Sequence, residues 1–373
     1  MLKEKSFNIL KKDNNKRRET LYYLAFIKYW AMILIIRWHL YKSNQHRIDY
    51  GARMSELLFV SSGFLVGYNY YKRTLPATYY TSCKYSYKHL RSFYPLHIII
   101  SFYWIYTYKG KFNLTDYEML IFHFLLLKVW SSYRSFAQGF HGLTWFISAL
   151  LFCYFLSPFL LGGIQNINNS LVIFTFVAFI RVGIEQLVEN GAKNIMNFNF
   201  HFNPVIRLMD FYLGMLMIPL FLKVKNFFDK IENKLYLKFI FTNIQILFPV
   251  ILYFIMLEYN NKLIRCYFVL IFCLCIFLIS YDYGYFSTII KKKIFKEIMS
   301  CQMEMYLLQR CLNNILVKNL NSYIPQNEEL KFLIKVVFIF IISYIYKKKF
   351  REKLGITMDK IIYLFKKILK FFY

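Results

Sequence analysis

The sequence lacks the cysteine patterns that mark metal centres and disulfide frameworks. Seven cysteines are present, but they form no paired CxxC arrangement and no cysteine–histidine cluster with zinc spacing. Most of them lie inside apolar stretches, where cysteine packs as a small apolar side chain. The sequence therefore predicts no structural disulfide and no metal site.

Acidic residues are scarce. The chain has 48 lysines and arginines against 20 aspartates and glutamates, a formal net charge of +28. In a soluble protein this excess would suggest nucleic acid as a partner. Here the basic residues stand mostly between and beyond apolar stretches, which is the positive-inside pattern of membrane proteins. We therefore expect contact with anionic lipids and no nucleic-acid partner, and the alternative is a specific anionic ligand such as a nucleotide-bearing cofactor.

Long apolar runs dominate what is present. Hydrophobic residues make up 58% of the chain and aromatic residues 21%. They gather in runs of roughly 17 to 22 residues, the length that crosses a bilayer. We expect an all-α, polytopic transmembrane helical bundle of about ten spans. The predicted spans are 22–41, 54–70, 91–107, 144–162, 169–187, 204–222, 238–257, 263–281, 300–318 and 330–347.

An eleventh apolar run, 116–130, is shorter than the others, and the charge of the loops indicates whether it crosses the membrane. If it does not cross, the basic loops and both termini fall on one side, as the positive-inside rule favours. We therefore predict cytosolic termini and an interfacial or re-entrant block at 116–130 on the outer side. The basic loops concerned are 71–90, 223–237 and 282–299.

This topology divides the chain into three parts. Residues 1–20 are predicted to be a basic cytosolic tail without a removable signal peptide, and residues 21–350 the membrane domain. Residues 351–373 repeat Ile, Leu and Phe with Lys at helical spacing, which predicts an amphipathic helix on the inner membrane surface. The abundance of Lys, Asn, Ile, Phe and Tyr is typical of an AT-rich bacterial genome, so we expect the bacterial cytoplasmic membrane.

Lys28 and His39 are the most informative residues of the first span. Eleven positions separate them, which places them within about 20° of one helix face and roughly 16 Å apart along the axis. An interior histidine by itself is most often a hydrogen-bonded packing residue. A lysine on the same face favours a polar pathway or a reaction centre, because ionisable groups are costly in hydrocarbon. Histidine can also act as a general base near neutral pH.

Glu56, Lys88 and Arg91 are further candidates. Glu56 begins the second span and is either an interfacial charge or a group that orients a histidine. Lys88 and Arg91 stand three residues apart on one face, where a span begins on the cytosolic side. They are either topology signals or a site for phosphate, such as that of coenzyme A.

Four weaker candidates lie in later spans, and helix packing is the alternative for each. Trp145 and Ser148 stand in one apolar run, and Arg207 near the outer end of another would meet a polar acceptor or Asp210. Glu304 needs a partner because its surroundings in the sequence are apolar.

Taken in order, these segments resemble the acyltransferase-3 family of membrane O-acyltransferases, which acylate cell-surface glycans. Lys28 and His39 match a basic residue, ten intervening residues and a histidine. A second-span stretch, Phe-Val-x-Ser-Gly-Phe-Leu, is matched by residues 59–65, just after Glu56. Later matches are Lys88, Arg91, Tyr94 and Pro95, then Pro204, Arg207, Leu208 and Gly214, and finally Ser300, Tyr306 and Leu307.

The sequence also departs from the family pattern. Trp145 and Ser148 match a tryptophan block, but Leu150 and Leu151 stand where the family often has two glutamates. Gln309 replaces a late histidine, so this position hydrogen-bonds without titrating.

The resemblance implies an O-acyltransferase that moves an acyl group, usually acetyl, from cytosolic acyl-CoA to a hydroxyl of a surface polysaccharide or its lipid-linked precursor. Acetyl-CoA is then a donor substrate, and no permanently bound cofactor is expected. The implied roles are His39 as base or acyl carrier, Lys28 steadying the donor, Glu56 orienting His39, Lys88 and Arg91 binding coenzyme phosphates, and Arg207, Trp145, Ser148 and Glu304 binding substrate.

Three other functions fit parts of the pattern. A glycan transporter or flippase would share the spans and basic loops, but transporters commonly show internal repeats, and this chain has none strong enough to name. A glycan polymerase or ligase would be expected to have a long polar outer loop, whereas 188–203 and 319–329 are short. The third is a membrane scaffold whose polar residues only set packing.

Overall fold

The computed structural model shows a helical chain. It describes residues 20–40, 50–71, 76–107, 114–130, 139–192, 200–257, 262–320 and 327–372, and these ranges contain no β-strand. The helices are α1 (Tyr22–Leu40), α2 (Tyr50–Tyr70), α3 (Tyr79–Thr107), α4 (Leu114–Phe124), α5 (Thr144–Leu160), α6 (Ile167–Leu187), α7 (Pro204–Leu216), α8 (Ile218–Asp229), α9 (Lys234–Leu257), α10 (Lys262–Ile279), α11 (Tyr285–Ile290), α12 (Lys293–Met299), α13 (Gln302–Leu320), α14 (Glu328–Lys349) and α15 (Arg351–Phe372).

Asparagine side chains mark the start of three of these helices. Asn166, Asn203 and Asn327 each accept a hydrogen bond from a backbone N–H in the first turn of α6, α7 and α14, respectively. This side chain satisfies a donor that has no partner within the helix. Local sequence thus fixes where these helices begin, including the two that supply charged groups to the site described below.

Five helical segments of the described chain are long and apolar enough to cross a membrane. They are Tyr22–Leu40, Thr144–Ile164, Ile167–Gly191, Pro204–Asp229 and Lys234–Phe254. The other five predicted spans coincide largely with α2, α3, α10, α13 and α14, which do not reach the same apolar length. The all-helical class is confirmed, and the count of about ten spans stays a prediction.

The block at 116–130 is not one continuous helix. Helix α4 has 11 residues, so it is about 16 Å long, roughly half of the hydrocarbon thickness. The chain then turns at Leu126, whose φ is 56°, and a short 3₁₀ turn covers Lys128–Trp130. The Ser148 hydroxyl donates to the Leu126 carbonyl and ties this turn to α5. This geometry fits an interfacial or re-entrant segment.

Two glycines allow α2 and α7 to cross in close contact. A Cβ on Gly63 would overlap the Phe211 carbonyl, and a Cβ on Gly214 would overlap the Val60 carbonyl. Small residues at such crossings let helix backbones approach, which is how helices associate in membranes. This crossing brings together the acidic and basic side chains of the two helices.

Candidate functional site

Six charged side chains form a buried arginine–carboxylate network where α2, α6 and α7 meet. Each helix contributes one arginine and one carboxylate, three or four residues apart, so the two charges of each helix share a face. Arg53 is 13% exposed and the other five are at most 2% exposed. The network consists of Arg53, Glu56, Arg181, Glu185, Arg207 and Asp210.

The pairs within each helix have short N–O distances. Arg53 Nη1 lies 3.0 Å from Glu56 Oε1, and Arg181 Nη1 lies 2.6 Å from Glu185 Oε2. In α7 the corresponding distance, from Arg207 Nη1 to Asp210 Oδ2, is also 2.6 Å. The predicted meeting of Arg207 with Asp210 is therefore confirmed.

Contacts between helices join these pairs. Arg53 Nη1 donates to Glu185 Oε1 at 2.5 Å, and Arg181 Nε donates to Asp210 Oδ1 at 2.6 Å. Glu56 Oε1 lies 3.5 Å from Arg181 Nη2. The network holds three positive and three negative groups. Because an unpaired buried charge is costly, we interpret it first as a tie that fixes how the three helices pack.

Part of the Arg207 guanidinium forms no hydrogen bond in the described chain. Its Nε and Nη2 atoms are buried without a hydrogen-bond partner in the described chain. The rings of Phe59 and Phe200 lie 5.9 Å and 6.0 Å from its Cζ atom. The predicted role of Arg207 in binding the acceptor is neither required nor opposed by these contacts, and it stays a prediction.

Glu56 and Trp145 belong to the surroundings of this network. Trp145 is 7% exposed and packs against Phe59 and His201, with ring centroids 6.3 Å and 4.6 Å away. The charge of His201 acts on Glu56. Glu56 is thus engaged by arginines, and its proposed orientation of His39 stays a prediction.

Lys28 lies in a polar group built by four helices. Its Nζ donates to Ser62 Oγ of α2 at 3.2 Å. Ser62 also hydrogen-bonds the side chain of Tyr154 in α5, and the His89 ring of α3 stacks on Tyr154 at 4.0 Å. The lysine of the first span therefore faces other polar side chains.

His39 lies at the other end of α1. Its ring packs against Trp38 with centroids 4.6 Å apart, and its charge acts on His141 in the chain just before α5. Met32 and Ile35, which continue the Lys28–His39 stripe, are buried and apolar. The middle of the stripe therefore faces the protein interior. Lys28 has a polar partner at one end, and His39 lies within electrostatic reach of His141 at the other.

A second buried group, the histidine–lysine cluster, surrounds His141. Lys128 Nζ donates to the carbonyls of Gly139 and His141, at 2.6 Å and 3.2 Å, and to Thr144 Oγ1 at 3.3 Å. It thereby holds the loop before α5. The cluster comprises His97, Trp104, His123, Lys128, His141 and Arg310.

The rings of this cluster pack against one another, His97 tilted against His123 and Trp104 stacked on His141. His97 Nε2 lies 3.1 Å from the His123 carbonyl, and Ser101 Oγ lies 2.8 Å from His123 Nε2. The Trp104 ring stacks on His141 with centroids 5.9 Å apart. Arg310 lies over the Trp104 ring, 5.8 Å from its centroid.

Burial lowers the pKa of Lys128 to about 7, and the positive charge of Arg310 acts in the same direction. Burial also holds the pKa of His141 well below its usual value, so its ring is neutral. Within the described residues no carboxylate forms an ion pair with Lys128 or Arg310. The two buried groups thus differ, because only the arginine–carboxylate network is balanced in charge.

Helix α15 covers part of the predicted phosphate site. Arg91 Nε donates to Asp359 Oδ2 at 2.8 Å, and the Tyr87 hydroxyl donates to Asp359 Oδ1 at 2.5 Å. A Cβ on Gly355 would lie 3.2 Å from Arg91 Cζ, so this helix runs close over the guanidinium. Lys88 lies one helical turn before Arg91 on α3. The cations are thus at the surface, and one of them already holds a carboxylate.

Glu304 also contacts the C-terminal region. Its Oε1 accepts a hydrogen bond from Arg351 Nη1 at 2.9 Å, at the start of α15. The prediction that Glu304 needs a partner is confirmed. Its role in binding substrate stays a prediction.

Several of these residues were not expected from the sequence. Arg53 lies just before the predicted span 54–70 but belongs to α2, and neither Arg181 nor Glu185 was singled out. The available signal was an arginine and a carboxylate three or four residues apart inside an apolar run. His141 and Lys128 gave no such signal, because backbone carbonyls satisfy the lysine.

Comparison of the chain with protein-family models, curated proteins and solved structures finds no match. No group of three or more His, Cys, Asp or Glu side chains is placed to hold a metal ion in the described ranges. The assignment of function therefore rests on the residues of this chain.

Proposed function

We propose that this protein is a membrane O-acyltransferase. It would transfer an acyl group, in the simplest case acetyl, from cytosolic acyl-CoA to a hydroxyl of a surface polysaccharide or its lipid-linked precursor. The observation that carries the proposal is the stripe of α1 on which Lys28 donates to Ser62 at one end and His39 lies within electrostatic reach of His141 at the other. The order of the motifs that resemble the acyltransferase-3 family supports the same function.

In this proposal the chain has ten spans, with both termini in the cytosol of a bacterial cell and the cytoplasmic membrane around it. Lys88 and Arg91 attract the coenzyme phosphates at the cytosolic surface. Lys28 steadies the donor within the bundle, and His39 works near the outer end. Trp145, Ser148, Arg207 and Glu304 would help to bind the substrates.

The chemical step is a general-base acyl transfer. The sugar oxygen attacks the thioester carbonyl carbon while the His39 imidazole accepts the hydroxyl proton. The carbon–sulfur bond then breaks, and the coenzyme thiolate leaves and takes up a proton. If His39 instead carries the acyl group, its ring nitrogen first attacks the thioester carbon, the carbon–sulfur bond breaks, and the coenzyme thiolate leaves and takes up a proton. The sugar oxygen then attacks the acyl-imidazole carbon, the carbon–nitrogen bond breaks, and the hydroxyl proton passes to the freed imidazole or to solvent.

The experiment is O-acylation of surface polysaccharide in cells that make the wild type, His39→Ala or His39→Gln at equal membrane levels. The readout is the mass of the polysaccharide, in which one acyl group gives a defined increment. We expect a loss of roughly a hundredfold to ten-thousandfold in both variants, as for the removal of a general base. Arg37→Gln is the matched control, because Arg37 lies two residues away and pairs with Glu329.

Normal acylation in both His39 variants would remove the imidazole from the mechanism. Polysaccharide that is lost or shortened, with its acyl content per sugar unchanged, would select the transporter or polymerase instead. If deletion of the whole protein does not change the polysaccharide, the membrane scaffold would be the remaining alternative function.

A further inference from the structure

Four nitrogen atoms of the histidine–lysine cluster are buried without a hydrogen-bond partner in the described part of the chain. They are His97 Nδ1, Trp104 Nε1 and both ring nitrogens of His141. His97 and Trp104 lie seven residues apart on α3 and therefore share a face, and Trp104 stacks on His141. Buried polar atoms are nearly always paired in proteins, so this concentration indicates a missing partner.

The chemistry of these atoms restricts that partner. The indole nitrogen of Trp104 only donates, and the neutral His141 ring has one N–H donor and one acceptor nitrogen. His97 Nε2 donates to the His123 carbonyl, so His97 Nδ1 is an acceptor. The two donors that seek a partner are therefore Trp104 Nε1 and one nitrogen of His141. Arg310, together with Lys128 in its protonated form, adds positive charge to the same cluster, since both act electrostatically on His141. Hydrogen-bond donors in a positive field favour an acceptor oxygen that carries negative charge.

The arginine–carboxylate network shows how this chain pairs buried charges when it supplies both signs itself. There, every arginine contacts a carboxylate within 3.0 Å. The histidine–lysine cluster has the positive component, but the described residues supply no carboxylate to it. Because uncompensated buried charge is unfavourable, an anion from outside the chain would complete this cluster.

We infer that the histidine–lysine cluster binds an anionic oxygen group of the acceptor, either the carboxylate of an acidic sugar or the phosphate of a lipid-linked sugar. That the ligand is the acceptor rests on the proposed function, and it deepens that function by naming the substrate class. Trp104, His141 and Arg310 make the contacts. Lys128 has its donors engaged by Gly139, His141 and Thr144, so it holds the loop and contributes its charge.

The position of the cluster agrees with this role. The charge of His39 acts on His141, so the proposed base lies within electrostatic reach of the bound anion. Arg310 is partly exposed, so part of the cluster's positive charge lies at the surface.

The test is ligand binding to the purified full chain in detergent micelles, followed by thermal unfolding. Two matched pairs of probes are compared, glucuronate with glucose and farnesyl diphosphate with farnesol. We expect the anionic member of at least one pair to raise the Tm, because a ligand that binds only the folded state stabilises it. Its neutral counterpart should leave the Tm unchanged. The pair that responds identifies the carboxylate or the phosphate source.

Site variants connect this binding to the cluster. Trp104→Phe keeps a packed ring and removes the donor, so the Kd of the anionic probe should rise roughly tenfold to a hundredfold. Trp130→Phe is the control, because Trp130 is 48% exposed and packs on Phe152 outside the cluster. Arg310→Gln is a second variant at a partly exposed position and should weaken binding in the same way.

Equal effects of charged and neutral probes would overturn the inference, and so would anion binding that both variants leave unchanged. These outcomes differ from failure of the proposed function. Selective anion binding without any acyl transfer would refute the proposed acyltransferase function, while the proposed anion site would still stand. Acyl transfer to glycans without selective anion binding would refute only the site.

Discussion

Replacing Asp210 with asparagine tests whether the arginine–carboxylate network is a set of true buried ion pairs. Asp210 accepts hydrogen bonds from Arg181 Nε and Arg207 Nη1, both at 2.6 Å, and all three side chains are fully buried. Asparagine has nearly the same shape but no charge. Three arginines would then face two carboxylates, and the new amide N–H groups would point toward guanidinium donors.

The expected loss in free energy of unfolding depends on the burial of the ion pair rather than on its N–O distance. Removing one partner of a buried pair costs about 3–5 kcal/mol, because the remaining charge is left uncompensated. The pair Arg37–Glu329 has the same N–O distance, 2.6 Å, but its side chains are 33% and 65% exposed. Glu329→Gln should therefore cost at most about 1 kcal/mol. The difference corresponds to more than roughly a tenfold change in the unfolding equilibrium.

The assay is reversible unfolding of both variants in mixed micelles, monitored by helical circular dichroism, with the free energy of unfolding as the readout. A double variant, Arg207→Gln with Asp210→Asn, removes one charge of each sign. Its cost should be smaller than the sum of the two single costs, because it restores the balance. If Asp210→Asn costs no more than Glu329→Gln, the network is solvated or uncharged, and the reasoning about burial is wrong.

Two further predictions concern the helix crossing and the C-terminal helix. Gly63→Ala should lower the free energy of unfolding by about 1–3 kcal/mol, because a Cβ at this position meets backbone atoms. Gly183→Ala is the control: its Cβ would have nothing within 4 Å, so the free energy of unfolding should stay unchanged or rise slightly. Equal effects of the two variants would contradict the close crossing. Hydrogen bonds from Tyr87 and Arg91 lower the pKa of Asp359 from its ordinary value of 3.8. This contact therefore stabilises docking of α15 above that value and is lost as the pH falls through the lowered pKa. Amide exchange in α15 should increase below about pH 4 in the wild type, and an identical acid transition in Asp359→Asn would count against this carboxylate.

The sequence predicted the helices well because their signals are local. The length of an apolar run, including the short run at 116–130, depends on a few turns of sequence, and the predicted spans coincide largely with observed helices. The five most apolar runs were also sufficient to identify candidate spans. The number of spans is harder, because α2 and α13 carry charged residues whose cost depends on partners elsewhere in the bundle.

The candidate sites were predictable only in part. Asp210 was one of the two partners considered for Arg207, and an apolar setting predicted that Glu304 needs a partner. Contacts between helices depend on how each helix is rotated about its axis, which the 3.6-residue period leaves open among several apolar faces. The contacts of Lys128 were beyond prediction, since they are made to backbone carbonyls that any residue type would supply.

The arrangement of the arginine–carboxylate network also bears on how the chain enters the membrane. An arginine without a partner in an inserting apolar helix is costly, and most costly near the middle of the helix. Here α2, α6 and α7 each carry a carboxylate on the same face as their arginine. Each segment can thus leave the translocation machinery as a locally neutral unit before its neighbours arrive. Later exchange of partners between segments would then align them, so the same side chains ease biogenesis first and guide assembly afterwards.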